Sequence, residues 1–229
     1  MYKKKQFSKL EKEYNKYQES GSVGLMMDIC HKGLEIKNNT LGQKSNVLEI
    51  GAGTSPHLSY INHDYQKYFF LENSLYAINF LKKKFKSNKK IKYIFYKNNK
   101  LPFQKNYFDR IIMSHVLEHI PEPEKFLISA FKILRKNGYL SIALPNDPGL
   151  LWRIGRYFLK IYKVKKILNM DPKEYDYMIA TEHINSIFNL LSMIRYNFNE
   201  NIVEEKFLPF RLKSIDLNLF CIITLRKNN

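Results

Sequence analysis

Between residues 47 and 144, short apolar runs alternate with helix-patterned stretches, and this alternation constrains the fold more than any other feature of the chain. Val47-Leu48-Glu49-Ile50, Tyr68–Leu71, Ile91–Tyr96, Phe108–Met113 and Tyr139–Leu144 read as five strands, too short and too β-branched or aromatic for helices. Helical periodicity covers Leu25–Ile36, Leu75–Phe85 and Pro123–Leu134, and Pro56 suits the first turn of a further helix. Lys136-Asn137-Gly138 reads as a C-cap and turn before the fifth strand. Strands and helices in this rhythm predict an α/β fold with a doubly wound, mostly parallel sheet and helices on both faces. Ile202–Phe207 and Leu217–Leu225 are two more β-like runs, bringing the expected sheet to seven strands, with a helix at Ile184–Tyr196 before them. One domain is expected over residues 1–229: an N-terminal helical cap (1–45), a core (46–146), a helical lid insertion after strand 5 (149–180) and a C-terminal helix and strands (181–229).

No apolar run approaches the roughly 20 residues that span a bilayer. Met1–Ser20 is polar and Lys-rich, unlike a secretory leader, so a cytoplasmic protein is expected. Cys30 and Cys221 form no Cys-x-x-Cys pair, and neither a disulfide framework nor a metal site is expected. The net charge of +17 invites a nucleic-acid reading. However, Arg occurs only at 110, 135, 153, 156, 195, 211 and 226, the remaining cations are Lys, and Asn is abundant, as AT-rich coding would produce without any partner. Arg is the residue suited to bidentate phosphate and base recognition, so nucleic acid is not the expected partner.

The strongest local signal is Val47-Leu48-Glu49-Ile50-Gly51-Ala52-Gly53, a strand ending in closely spaced glycines. Such a turn lets backbone approach a ligand without Cβ clashes. Thr54-Ser55-Pro56 follows where the dinucleotide fingerprint wants a third glycine, which disfavours a nicotinamide enzyme and fits a ligand without phosphate. Glu72 closes the next strand 19 residues after Gly53, the spacing of a carboxylate that binds a ribose diol.

Taken with Leu101-Pro102-Phe103, Phe108-Asp109, Val116-Leu117-Glu118-His119-Ile120, Leu134–Leu140 and Pro145-Asn146, this motif resembles the class I S-adenosylmethionine-dependent methyltransferases across residues 46–146. The resemblance implies a Rossmann-like fold and S-adenosyl-L-methionine as cofactor. It implies that Glu49 and the turn Gly51, Ala52 and Gly53 hold the methionine part and that Glu72 takes the ribose hydroxyls. The family usually has an acid near the adenine, before the Leu-Pro-Phe motif; Tyr96–Lys100 stands there instead, and Asn98 is the substitute acceptor for the adenine amino group.

Ser114 and His115 follow the fourth strand, where an open sheet forms its ligand crevice, and should face donor or acceptor. His119 comes one helical turn after His115. Thr181-Glu182-His183 is expected to open the late helix, with Thr181 as its cap and His183 over the acceptor pocket. His115, His119 and His183 are the candidate bases for a hydroxyl acceptor. Residues 150–163 mix apolar side chains with Arg153, Arg156 and Lys160, the composition of a lid over the acceptor or of an interfacial helix touching a membrane. The expected function is O-methylation of a small, anionic acceptor, such as a sugar, nucleotide-sugar or phosphorylated intermediate in surface glycan biosynthesis. The alternatives are a nucleic-acid methyltransferase and a catalytically silent binding protein. No feature of the pattern specifies an oligomeric state.

Overall fold

A computed structural model describes residues 21–36, 41–54, 56–97, 100–162, 164 and 171–228. Asn98 and the leader before Gly21 lie outside the described residues. Helix α1 (Gly21–Leu34) leads to β1 (Asn46–Ile50), β2 (Lys67–Glu72), α2 (Leu75–Lys84), β3 (Ile91–Phe95) and β4 (Phe108–Ser114). Then come α3 (Pro123–Ile133), β5 (Leu134–Pro145), α4 (Leu150–Tyr162), α5 (Pro172–Glu182), α6 (Ile187–Phe198), β6 (Ile202–Leu208) and β7 (Phe220–Arg226). The seven strands form one sheet in the order β3-β2-β1-β4-β5-β7-β6. The first five are parallel, and β7 runs antiparallel between β5 and β6.

Side-chain alternation divides the core in two. Leu48, Ile50, Phe69, Leu71, Ile111, Met113, Leu140 and Ile142 face the layer holding α3 and α6. Val47, Tyr68, Phe70, Ile112 and Ala143 face the layer holding α1 and α2. β1 is buried on both faces, so a one-residue slip would turn Glu49 away from its donors and into the apolar layer facing α3 and α6. Caps fix the helix starts: Ser74 accepts from the Ala77 N–H, Asp171 and Glu174 form a capping box on α5, and Ser186 accepts from the Asn189 N–H.

Three local expectations are corrected. The helix after the glycine turn shrinks to one 3₁₀ turn, His57–Tyr60, because Glu49 takes the His57 N–H and Glu35 takes the Asn62 N–H. Lys136-Asn137-Gly138 does not stop the chain; β5 begins at Leu134, directly after α3. There the C-terminal segment pairs with it, with Asn137 N–H bonding Lys227 O and Lys227 N–H bonding Gly138 O. Gly138 is required by close approach, since a Cβ would lie 2.9 Å from the carbonyls of Arg135 and Asp109. Thr181 caps nothing: it sits in the last turn of α5, its hydroxyl donating to Tyr177 O and Met178 O, and Ser186 starts α6.

Candidate active site

Parallel pairing brings the carboxyl ends of β1, β2, β4 and β5 to one edge, and the order reverses between β1 and β4, where an open sheet parts into a crevice. Gly51 N–H bonds Leu71 O at 2.9 Å and His115 N–H bonds Ala143 O at 3.1 Å, so the turns after these strands are tied to their neighbours. Gly51 has φ +69°, and a Cβ there would meet Val116 Cγ2 at 2.7 Å. Gly53 has φ +55° and open space on its Cβ side, and its N–H donates to Glu72 Oε1 at 2.5 Å. Glu72 thus stands at the glycine turn, as its spacing predicts. Buried Ser114 Oγ, at the tip of β4, has no partner among the described residues.

Glu49 is engaged beneath the turn. Its carboxylate accepts from the His57 N–H at 2.6 Å and from the Tyr68 hydroxyl at 2.5 Å. Burial pushes its carboxyl up to about 7, against the pull of those two donors. A raised folded-state acid binds a proton that the unfolded chain has released, so stability falls as pH rises from the unfolded value, about 4.5, to about 7. That shift corresponds to about 3 kcal/mol. Glu49→Gln, which keeps an acceptor for His57 while the Tyr68 hydroxyl can turn to accept, should flatten this slope in urea denaturation measured across pH. A variant with the parent's slope would remove Glu49 as its source.

Beside it lies a polar cluster that sequence reading missed. Glu35 accepts from His57 Nε2 at 2.6 Å, from Arg110 Nη2 at 2.8 Å and from the Asn62 N–H. Burial pushes the Glu35 carboxyl up, but His57 and Arg110 outweigh it and hold it at about 2. Arg110 is fully buried, a tolerable state only because it is paired. His31 faces His57 at 3.2 Å and burial lowers its imidazole to about 3, so it is a neutral member. The cluster clamps α1 and the 3₁₀ turn to the sheet under the glycine turn.

Past the carboxyl end of β4 the three predicted histidines come together. His115, at φ +56°, points Nε2 at Cys30 Sγ (3.6 Å) and Nδ1 at Glu118 Oε1 (3.5 Å). Burial opposes its charged form, yet the Cys30 thiol and the Glu118 carboxylate raise its pKa above the ordinary imidazole value. Glu118 is buried, and its Oε1 also lies 3.8 Å from His119 Nε2. Asn185 secures a second 3₁₀ turn, Leu117–His119, by donating to Leu117 O and Ile120 O. The His119 and His183 rings meet edge to face, 5.0 Å apart. His183 Nδ1 lies 2.9 Å from Asp147 Oδ2, which also pairs with Arg156 Nη2. Burial raises the Asp147 carboxyl, but His183 and Arg156 prevail and hold it below its usual range. Asp147 went unnoticed in the sequence, although its signal matches that of Glu72: an acid just past a strand's carboxyl end. Among the described residues, no group of three or more His, Cys, Asp or Glu is arranged to hold a metal ion.

Residues 48–142 match the family described as Methyltransferase domain. That segment, from β1 into β5, is thus a methyltransferase domain. No curated protein matches the chain in sequence. Among solved structures it resembles a SAM-dependent methyltransferase from Thermotoga maritima (17% identity, 97% of this chain and 98% of that one, TM-score 0.59). It also resembles the N-methyltransferase NodS from Bradyrhizobium japonicum in complex with S-adenosylhomocysteine (13%, 90% and 87%, TM-score 0.58). A third is a SAM-dependent methyltransferase from Aquifex aeolicus (16%, 82% and 84%, TM-score 0.54). At such identities these likenesses establish the fold. The crevice fits S-adenosylmethionine as a ligand: an open Gly53, a carboxylate at the β2 tip and, at the β4 tip, a hydroxyl unpartnered among the described residues.

Proposed function

We propose that the methyltransferase O-methylates a small anionic acceptor in the cytoplasm, such as a sugar, nucleotide-sugar or phosphorylated intermediate of surface glycan biosynthesis. In this reading Glu72 binds the ribose diol and the backbone from Gly51 to Gly53 carries the methionine portion. Glu49 acts from beneath by shaping that turn, Ser114 faces the ligand, and Asn98 accepts from the adenine amino group. Bound there, the cofactor supplies a methyl group on a positively charged sulfonium.

The observation that carries the reading is the contact of His183 Nδ1 with Asp147. An ionised Asp147 keeps the proton on Nδ1 and leaves Nε2 to receive the acceptor's hydroxyl proton, a contribution of about 10²–10⁴ in rate. His119 packs against that ring. His115, held toward its charged form by Glu118, is suited to supply positive charge near an anionic acceptor. Arg156 adds a second cation whose buried Nε has no partner among the described residues. Arg153, Arg156 and Lys160 do not act as one patch, since Arg156 turns to Asp147 and Lys160 to Asp176 while Arg153 is exposed. Both cysteines are buried free thiols, compatible with a reducing compartment.

An acceptor panel tests the proposal. Methyl transfer to nucleotide-linked or phosphorylated saccharides, and none to RNA, is the expected result. Turnover of RNA, or only of amines, would overturn it.

A further inference from the structure

Helix α4 has two faces with opposite fates. Its inner face is pinned: Trp152 Nε1 donates to Leu219 O at 2.5 Å, Arg156 pairs with Asp147, and Leu159 packs with Val164 and Tyr175. On the outer face Leu150, Ile154, Tyr157, Phe158 and Ile161 recur at i, i+4, i+7, i+8 and i+11, a single helical stripe. These five side chains are 42–62% exposed, and Tyr177 of the adjoining α5 is 64% exposed. A soluble monomer seldom leaves so many large apolar side chains contiguous on one helix.

Charge decides what covers the stripe. From Gly149 to Met170 the sequence has no acid and six cations, Arg153, Arg156, Lys160, Lys163, Lys165 and Lys166. Arg153 is exposed and lies one turn from Tyr157. Arg156 and Lys160 are compensated by Asp147 and Asp176, which leaves exposed Arg153 beside the stripe; two copies of this helix packed on each other would set Arg153 against cation with no carboxylate of the segment to compensate. A bilayer surface of anionic phospholipid supplies both apolar depth and negative charge, and aromatic residues settle well at that depth.

We propose that α4 docks the methyltransferase flat on an anionic lipid surface through Leu150, Ile154, Tyr157, Phe158 and Ile161. The inner face of the same helix carries Arg156 to Asp147 and His183, so docking brings the acceptor side of the crevice to the membrane, where a lipid-linked acceptor would present its headgroup. The surface itself is independent of the proposed acceptor, and its test involves no turnover.

The test is co-sedimentation of the full chain with phosphatidylglycerol–phosphatidylcholine vesicles and with pure phosphatidylcholine vesicles. Sedimentation with the anionic vesicles is expected, about tenfold weaker on the neutral ones and weaker again at about 0.5 M salt, where screening is short-ranged. The combined variant Tyr157→Ser, Phe158→Ser, Ile161→Ser should lose about tenfold or more in vesicle affinity while binding S-adenosylhomocysteine as the parent does. Should that variant fail to fold, Arg153→Glu, a change at an exposed position, is expected to weaken anionic-vesicle binding about fivefold or more. Absence of vesicle binding by the parent would overturn the proposal. So would unchanged binding by the folded variants, or a parent dimer that the triple variant dissolves without any vesicle binding.

Discussion

Replacing Glu72 with Ala is expected to weaken S-adenosylhomocysteine binding by about 100- to 1,000-fold in calorimetric titration. Two losses combine. A carboxylate that accepts both ribose hydroxyls makes two charge-assisted hydrogen bonds, each contributing about 1.5–3 kcal/mol. The same carboxylate holds the Gly53 N–H at 2.5 Å, so the turn that receives the ligand also loses its anchor. Glu72→Gln separates the two effects, because its amide oxygen can still accept from Gly53 while the charge is gone; a loss of about tenfold is expected. NAD titrated in parallel should give no binding heat, since Thr54-Ser55-Pro56 replaces the third glycine of the pyrophosphate turn. Undiminished binding by Glu72→Ala would place the ligand away from the tip of β2.

His183→Ala should lower kcat on a hydroxyl acceptor by about 10²–10⁴ while leaving S-adenosylhomocysteine affinity unchanged. The fold should survive, because the role of His183 in ending α5 is made by its backbone N–H, which bonds Ile179 O in any case. Asp147→Asn tests the positioning group: it removes the acceptor that holds the proton on Nδ1, and kcat is expected to fall about tenfold to a hundredfold. Because His183 and Arg156 hold the Asp147 carboxyl below its usual range, it is ionised on both sides of neutrality. In the parent, Asp147 should therefore add no acid limb to the kcat–pH profile above about pH 4. A His183→Ala enzyme with parental kcat would mean that transfer needs no base there, as for a carbon acceptor or an amine already neutral.

Strand positions were legible from the residues alone because a buried strand between helices reads as a short apolar run wherever it occurs. The five parallel strands from Asn46 to Pro145 therefore match expectation to within a residue or two at most ends. The exception, Lys136-Asn137-Gly138, shows the limit of local reading. These residues have turn propensities, yet Lys227, 90 positions later in the chain, supplies the pairing that holds them in β5. Likewise the glycine turn and Glu72 were readable, because a positive φ and a strand-end carboxylate leave a fixed spacing. The Glu35–His57–Arg110 cluster left none: its members come from the residue after α1, a 3₁₀ turn and β4, and no short pattern links them.

The sequence by itself determined the alternation of elements, the ligand-ready turn after β1 and the apolar stripe of α4, since each is set by neighbours within one element. Only the tertiary structure decided the placement of β7 between β5 and β6, the meeting of Asp147 with His183, and which face of α4 remained open. Those outcomes depend on which distant surfaces pack together, and burial rewards contacts in space without regard to their separation along the chain.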